Sequence, residues 1–253
     1  MHLAVCTPCQ YDCVSCAHQG IRYQHHNYHL PLSELQNFLA TTESSGYFIE
    51  RLLISGPGEP LLWKHLDDGL ALIGASPAIG FVEVLSNGLA IKRLDERTWQ
   101  HIDRLRVSWY PEAAHIEPDL REAERRYRSR IVINRIDQFR PLPAASTGSI
   151  PCECTSTGPT YFDGRVLLFC GPPVFDAARL AGRDVFDYAD TFRTLRTGYM
   201  EPDQPGGSRS WLAPVDPIRK TGRHELCRTC YANNTTLRPR HAHAAFTGQD
   251  SGR

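Results

Sequence analysis

The sequence predicts an α/β fold built on a parallel sheet, and two observations carry that expectation. From the start to about residue 136, short apolar runs alternate with longer amphipathic stretches, the rhythm of repeated strand–helix units. The 253 residues are 41% hydrophobic and 22% charged, enough apolar material for one large domain or two small ones. Candidate strands run from Leu3 to Cys6, Arg51 to Ser55, Phe81 to Leu85, Arg104 to Trp109 and Ile131 to Ile136. Between the first two, Ser33-Glu34-Leu35-Gln36 has the spacing of a capping box, and Leu35, Phe38 and Leu39 give the helix one apolar face. After the second strand, Leu62, Leu66, Leu70 and Ile73 recur at helical spacing. Asp95 can cap a third helix bearing Trp99 and Ile102, and Asp119 to Arg130 reads as a fourth, strongly charged and solvated over most of its surface. Trp63, Trp99 and Phe192 read as core.

Around residues 141 to 159 prolines, glycines and serines accumulate and the strand–helix rhythm stops. This separates a first domain, residues 1–145, from a smaller module at 146–235. The clearest element of the module spans Thr160 to Phe169, where Asp163-Gly164 between apolar runs signals a β-hairpin. Residues 200–222 read as a loop, and residues 236–253 have the polar composition of a disordered tail. No internal repeat is present.

Charge and cysteine usage narrow the function classes. Lys plus Arg and Asp plus Glu both number 28, so the net charge offers no electrostatic footprint for nucleic acid or an anionic membrane. A small, weakly charged substrate is the better-supported partner. No apolar run approaches the roughly 18 to 20 residues of a spanning helix, and the N-terminus lacks the basic and apolar blocks of a signal peptide. A soluble cytoplasmic protein is expected. In a reducing cytosol its nine cysteines are metal ligands or catalysts rather than a disulfide scaffold.

Cys9, Cys13 and Cys16 form a C-x3-C-x2-C loop directly after the first apolar strand. Three thiolates on one tight loop can hold three corners of a 4Fe-4S cluster and leave the fourth iron open to a small ligand. The competing reading is zinc with Cys6 as fourth ligand, since C-x2-C pairs are common in zinc sites. The second strand ends in Ser55-Gly56-Pro57-Gly58-Glu59-Pro60 and the third in Ser86-Asn87-Gly88. Loops at the C-terminal ends of strands in a βα barrel converge on one face. Gly56 and Gly58 permit close backbone approach, and Glu59 with exposed carbonyls can receive an ammonium group.

This ordered set resembles the radical S-adenosylmethionine (SAM) superfamily over the first 136 residues or so: a three-cysteine loop, then a glycine-glutamate-proline turn, then a polar Asn-Gly turn. The resemblance implies a partial (β/α)6 TIM-like barrel. It implies that Cys9, Cys13 and Cys16 hold the SAM-binding 4Fe-4S cluster and that Gly58, Glu59 and Pro60 bind the amino group of SAM. Ser86, Asn87, Ser108 and Asn134 become candidates for SAM contacts, and Arg135 for an anionic group. The sequence departs from the family at Ser15, where an apolar residue usually packs against adenine; Tyr11 is a candidate for the missing surface. Cys6 reads as packed rather than ligating, as small buried thiols commonly are.

A second constellation lies in the smaller module: Cys152, Cys170 after the hairpin, and Cys227-Arg228-Thr229-Cys230. Four converging thiols can close a fully ligated cluster or a structural zinc site. In order and approximate spacing they resemble the Twitch module, a small α+β auxiliary-cluster extension of some radical SAM enzymes, which implies a second 4Fe-4S cluster. Cys154 is left over; it can replace Cys152 as ligand or stand free beside the substrate as a hydrogen donor. His25, His26 and His29 follow the cysteine loop; a solvated loop is favoured over a place in the substrate pocket.

The layout is most similar to Twitch-type aminocyclitol dehydrogenases of antibiotic biosynthesis. That implies reductive SAM cleavage, hydrogen abstraction from a small-molecule substrate and two-electron oxidation of a sugar or aminocyclitol alcohol, with a flavodoxin- or ferredoxin-type electron donor. Three alternatives stand beside it: an epimerase using Cys154, a peptide-modifying maturase, and a zinc or iron–sulfur binding module without catalysis. A maturase is expected to carry a leader-binding domain ahead of the first strand, where this sequence shows none.

Overall fold

A computed structural model of the chain describes residues 1–13, 27–44, 46, 48–127 and 130–139, with short strands at 160–162, 166–168 and 238–239. Five strands form the parallel body of the sheet: β1 (His2–Ala4), β2 (Leu52–Ser55), β3 (Val82–Ser86), β4 (Arg104–Trp109) and β5 (Ile131–Arg135). Each lies beside its successor in sequence, because a strand–helix–strand crossover returns the chain one strand further along. The crossovers carry α1 (Leu32–Ser44), α2 (Leu66–Ala75), the short α3 (Glu96–Trp99) and α4 (Glu117–Arg126). No helix among the described residues is long and apolar enough to cross a membrane.

Register partners in parallel strands share a face, so the pairings sort every strand residue. Leu3, Leu52, Ile54, Val84, Leu105 and Val107 face the helices and are buried with Leu35, Phe38, Leu66, Leu70, Ile73 and Leu120 in one core. Trp63 and Trp99 belong to this core, as their sequence environment predicts. The Trp63 indole N–H donates to the Leu30 carbonyl at 2.9 Å, and its ring lies where a Cβ on Gly69 would fall. The opposite face carries Leu53, Ser55, Glu83, Arg104, Arg106, Ser108 and Asn134.

Several boundaries differ from expectation for local reasons. Helix α1 begins at Leu32, with the Leu35 N–H bonded to the Pro31 carbonyl, so Ser33 lies inside the first turn instead of capping it. Asp95 does cap α3, accepting from the Thr98 N–H at 2.8 Å. The charged fourth helix starts two residues early and stops at Arg126, because Pro111–Ile116 forms a 3-10 segment that runs into it and the Tyr127 N–H closes on Ala123. The hairpin expected around Asp163-Gly164 has its strands, β7 (Thr160–Phe162) and β8 (Val166–Leu168), paired antiparallel. It does not stand in a sheet of its own: β7 pairs parallel with β1 and extends the main sheet to the order β5-β4-β3-β2-β1-β7-β8. Residues β6 (Gln138–Phe139) and β9 (Arg238–Pro239) form a separate two-stranded pair.

Candidate functional site at the strand ends

The segment entering the cysteine loop and the segment leaving it are zipped together before the loop opens. The Leu30 N–H donates to the Val5 carbonyl at 2.8 Å and the Thr7 N–H to the Tyr28 carbonyl at 3.0 Å. The Tyr28 N–H returns a bond to the Thr7 hydroxyl at 2.9 Å. Cys6 and His29 face each other across this antiparallel bridge. His29 is half-buried and its Nδ1 accepts the Lys64 N–H at 3.2 Å. Burial, then the nearby Lys64, His65 and Arg93, hold its imidazole below the usual value. His29 is therefore part of the base of the loop rather than a solvated residue; His25 and His26 lie outside the described residues. Sequence reading missed this closure, for which Thr7 was the only available signal.

The turn after β2 is stitched to the same segment. The Gly58 N–H donates to the Cys6 carbonyl at 2.9 Å and the Glu59 N–H to the Pro8 carbonyl at 2.7 Å. A Cβ on Gly58 would lie 2.3 Å from the Pro8 oxygen and 2.5 Å from the Thr7 carbonyl carbon, so only glycine admits this approach. At Gly56 a Cβ would meet the Gly58 backbone at 2.8 Å and the Cys6 oxygen at 3.0 Å. The close approach these glycines permit is between two segments of this chain.

Glu59 is buried and its carboxylate reaches β3. Oε1 accepts the Leu61 N–H at 3.0 Å and the Ser86 hydroxyl at 2.7 Å, while Oε2 accepts the Asn87 N–H at 2.7 Å. Burial pushes this carboxyl above its ordinary value, against the pull of the donors from Asn87, Ser86 and Leu61. Both oxygens are engaged in holding the end of β3, whereas sequence reading offered the carboxylate and the turn carbonyls alike to an ammonium group. Pro60 opens a 3-10 turn that Glu59 caps. Ser86 also accepts the Gly88 N–H at 2.9 Å, and Gly88 adopts φ 82°, a left-handed conformation that favours glycine.

Asn87 closes the arrangement. Its Oδ1 accepts the Leu89 N–H at 2.9 Å, which turns its Nδ2 toward Gln10 Oε1 at 3.1 Å and Cys9 Sγ at 3.8 Å. Cys9 is half-buried and Cys13 buried; Cys16 and Ser15 lie outside the described residues. Cys6 is fully buried and its thiol donates to the Glu59 carbonyl at 3.1 Å. Burial above all, with Glu59 and Cys9 adding and Arg93 opposing, pushes that thiol well above its ordinary value. A fully buried thiol that spends its hydrogen on a backbone carbonyl is packed, as the sequence suggested. Among the described residues no three His, Cys, Asp or Glu side chains gather as a metal site.

The other sequence candidates are placed unevenly. Tyr11 is buried and packs edge-on against Tyr110, ring centroids 5.2 Å apart. Ser108 and Asn134 are register partners on the sheet face away from the helices. Arg135 is exposed, pairs with Asp137 at 3.0 Å and sits 5.4 Å from the centroid of the Trp109 ring. Cys152, Cys154, Cys170, Cys227 and Cys230 lie outside the described residues. A cluster that went unnoticed occupies the same face as Ser108: Glu83, fully buried, draws Arg106 to 2.6 Å, Arg51 to 3.6 Å and Arg104 to 3.9 Å. Its signal was a carboxylate in the middle of the apolar run Phe81 to Leu85.

The fold and the site define an α/β protein whose parallel strands present a cysteine-bearing loop at their C-terminal ends. No family model and no curated protein sequence matches the chain. Among solved structures it is similar to BtrN. Against BtrN in an open conformation the identity is 15%, the TM-score 0.50, and 90% of each chain is covered. Against BtrN in complex with AdoMet and 2-DOIA the identity is 14% and the TM-score 0.57, covering 90% of this chain and 91% of that one. At such identity the likeness establishes a shared fold.

Proposed function

We propose that this chain is a radical SAM oxidoreductase. The observation that carries the reading is the stitching of the Cys9 loop to the Gly58-Glu59 turn and, through Asn87, to the end of β3. The donor set fits a 4Fe-4S cluster on Cys9, Cys13 and Cys16: thiols suit iron–sulfur ligation, Cys6 is withdrawn by its own hydrogen bond, and the Gly58 contact brings the turn against the loop. A fold shared with a protein solved with AdoMet bound supports it further. A cluster held there supplies one electron for reductive cleavage of SAM.

The chain's own residues bind and orient. The backbone carbonyls of the Gly56–Gly58 turn are offered to the SAM amino group, with the Glu59 carboxylate holding that turn to β3. Ser108 and Asn134 lie on the sheet face available to the ribose, carboxylate or substrate. The finer reading is a partial (β/α)6 barrel with a Twitch-like module, in which Cys152, Cys170, Cys227 and Cys230 hold a second 4Fe-4S cluster. The net reaction is oxidation of a sugar or aminocyclitol alcohol to a ketone. The carbon gives up a hydrogen atom and the hydroxyl its proton to a base, and a second cluster held by Cys152, Cys170, Cys227 and Cys230 would supply the acceptor for the remaining electron. A cytoplasmic flavodoxin- or ferredoxin-type donor completes the cycle.

Anaerobic reconstitution tests the proposal. About eight irons per chain, as expected of two cubane clusters, together with 5′-deoxyadenosine on reduction with SAM, support it. A chain that carries only zinc, or stays colourless with iron and sulfide, overturns it. With a carbon-deuterated aminocyclitol, one labelled nucleoside per ketone supports dehydrogenation, whereas labelled nucleoside beside an epimerised alcohol that carries a solvent hydrogen, with no ketone, supports an epimerase with Cys154 as donor.

A further inference from the structure

We propose that Asn87 sets the reduction potential of the N-terminal cluster by directing its carboxamide N–H at the Cys9 sulfur, an inference that rests on the ligand assignment above. Asn87 is held at three points. Its backbone N–H is fixed by the buried Glu59 carboxylate at 2.7 Å, its Oδ1 by the Leu89 N–H at 2.9 Å, and one side of its Nδ2 by Gln10 Oε1 at 3.1 Å. An amide flip would set its NH2 against the Leu89 N–H and its oxygen against Gln10 Oε1, so the donor orientation toward Cys9 Sγ at 3.8 Å is imposed by its neighbours. The residue is 7% exposed, so water competes little for that donor.

Reduction adds negative charge to a cluster and its thiolates, and a fixed donor on a ligating sulfur stabilises that charge. Asn87 acts through Cys9 and is a positioning residue. Glu59 stands one bond further back, so the glycine-glutamate turn and the cluster loop are linked through this amide. A purely structural Asn87, needed only for the turn it makes with Leu89, would leave the potential unchanged.

Asn87→Asp separates the two roles, since it keeps an oxygen for Leu89 and loses the donor; Asn87→Ala removes the donor without adding charge. Both variants and the unsubstituted chain are reconstituted and titrated anaerobically, scoring the EPR signal that responds to added SAM. Asn87→Ala is expected to shift the redox equilibrium about tenfold toward the oxidised cluster, about 59 mV for one electron, and Asn87→Asp at least as far. Changes below twofold in both overturn the proposal while leaving the cluster assignment standing. Failure of the unsubstituted chain to assemble a SAM-responsive cluster overturns both. Should the variants not fold, the unsubstituted chain grown with 15N-asparagine decides. Pulsed EPR of its reduced cluster must show coupling to 15N, and its absence refutes the contact.

Discussion

Replacing Glu59 by glutamine tests whether this carboxylate is the clamp between the turn after β2 and the end of β3. The side chain keeps its size, so any loss comes from exchanging one acceptor for a donor. With the amide nitrogen at the Oε2 position it confronts the Asn87 N–H; at the Oε1 position it confronts the Leu61 N–H, while Ser86 can rotate to accept. Either orientation strands one buried backbone N–H, costing about 1–3 kcal/mol. A hydrogen bond to a charged acceptor is also exchanged for a neutral one, which places the expected loss near ~3 kcal/mol. That is a large share of a typical domain stability of about 5–15 kcal/mol. The assay is urea denaturation followed by far-UV circular dichroism on the two chains.

The pH dependence supplies an independent check. The folded-state pKa of Glu59 is raised, so between the unfolded and folded values the native state binds more protons. Stability from this group is full below the unfolded pKa and declines as pH rises through the folded one. The deficit of Glu59→Gln therefore narrows with rising pH across that window. A loss under about 0.5 kcal/mol at neutral pH would refute the clamp, and a deficit that widens as pH rises would show that the three donors outweigh burial at this carboxyl.

Three further outcomes follow from the same geometry. Gly58→Ala places a methyl group within 2.3–2.6 Å of the Thr7 and Pro8 backbone; a stability loss of about 1–3 kcal/mol and reduced iron after reconstitution are expected, and an unchanged melting temperature with full iron contradicts the close approach. Cys6→Ala should keep iron binding while Cys9→Ala abolishes it, measured as iron per chain; loss of iron in the Cys6 variant would return Cys6 to the ligand set. Glu83→Gln leaves Arg51, Arg104 and Arg106 facing one another without a counter-charge. Because their side chains are 51%, 40% and 34% exposed, the loss by chemical denaturation should fall below the roughly 3–5 kcal/mol of a fully buried pair. It should shrink in the Arg106→Met background, and its persistence there would show that Glu83 matters for something other than the arginines.

Periodicity made the parallel sheet legible. An apolar strand reports its own burial, so β4 is found at its predicted limits and the other four within two residues. The motifs were legible for the same reason: glycines at Gly56 and Gly58, an acid at Glu59 and an amide at Asn87 sit where strands end, and strand ends follow from the apolar pattern. Helix α1 was less legible at its start, since Pro31 provides an accepting carbonyl that competes with a Ser33 cap. Sequence reading also left the Asp163-Gly164 hairpin in a module of its own, because nothing local in Thr160–Phe162 names β1 as its neighbour.

By itself, then, the sequence determined the α/β class, the order of strands and helices, and which residue types stand at the strand ends, all properties of short windows in which side-chain period and turn chemistry act locally. Only the tertiary structure decided where those side chains spend their hydrogen bonds. It turned Glu59 inward to Ser86 and Asn87, tied Cys6 to the Glu59 carbonyl, and gathered Arg104 and Arg106 of β4 with Arg51, just before β2, around Glu83. Each of these partners lies between 21 and 53 residues away along the chain, and the choice among such partners is made by burial: once water is excluded, a buried donor or acceptor must take the group that packing brings to it.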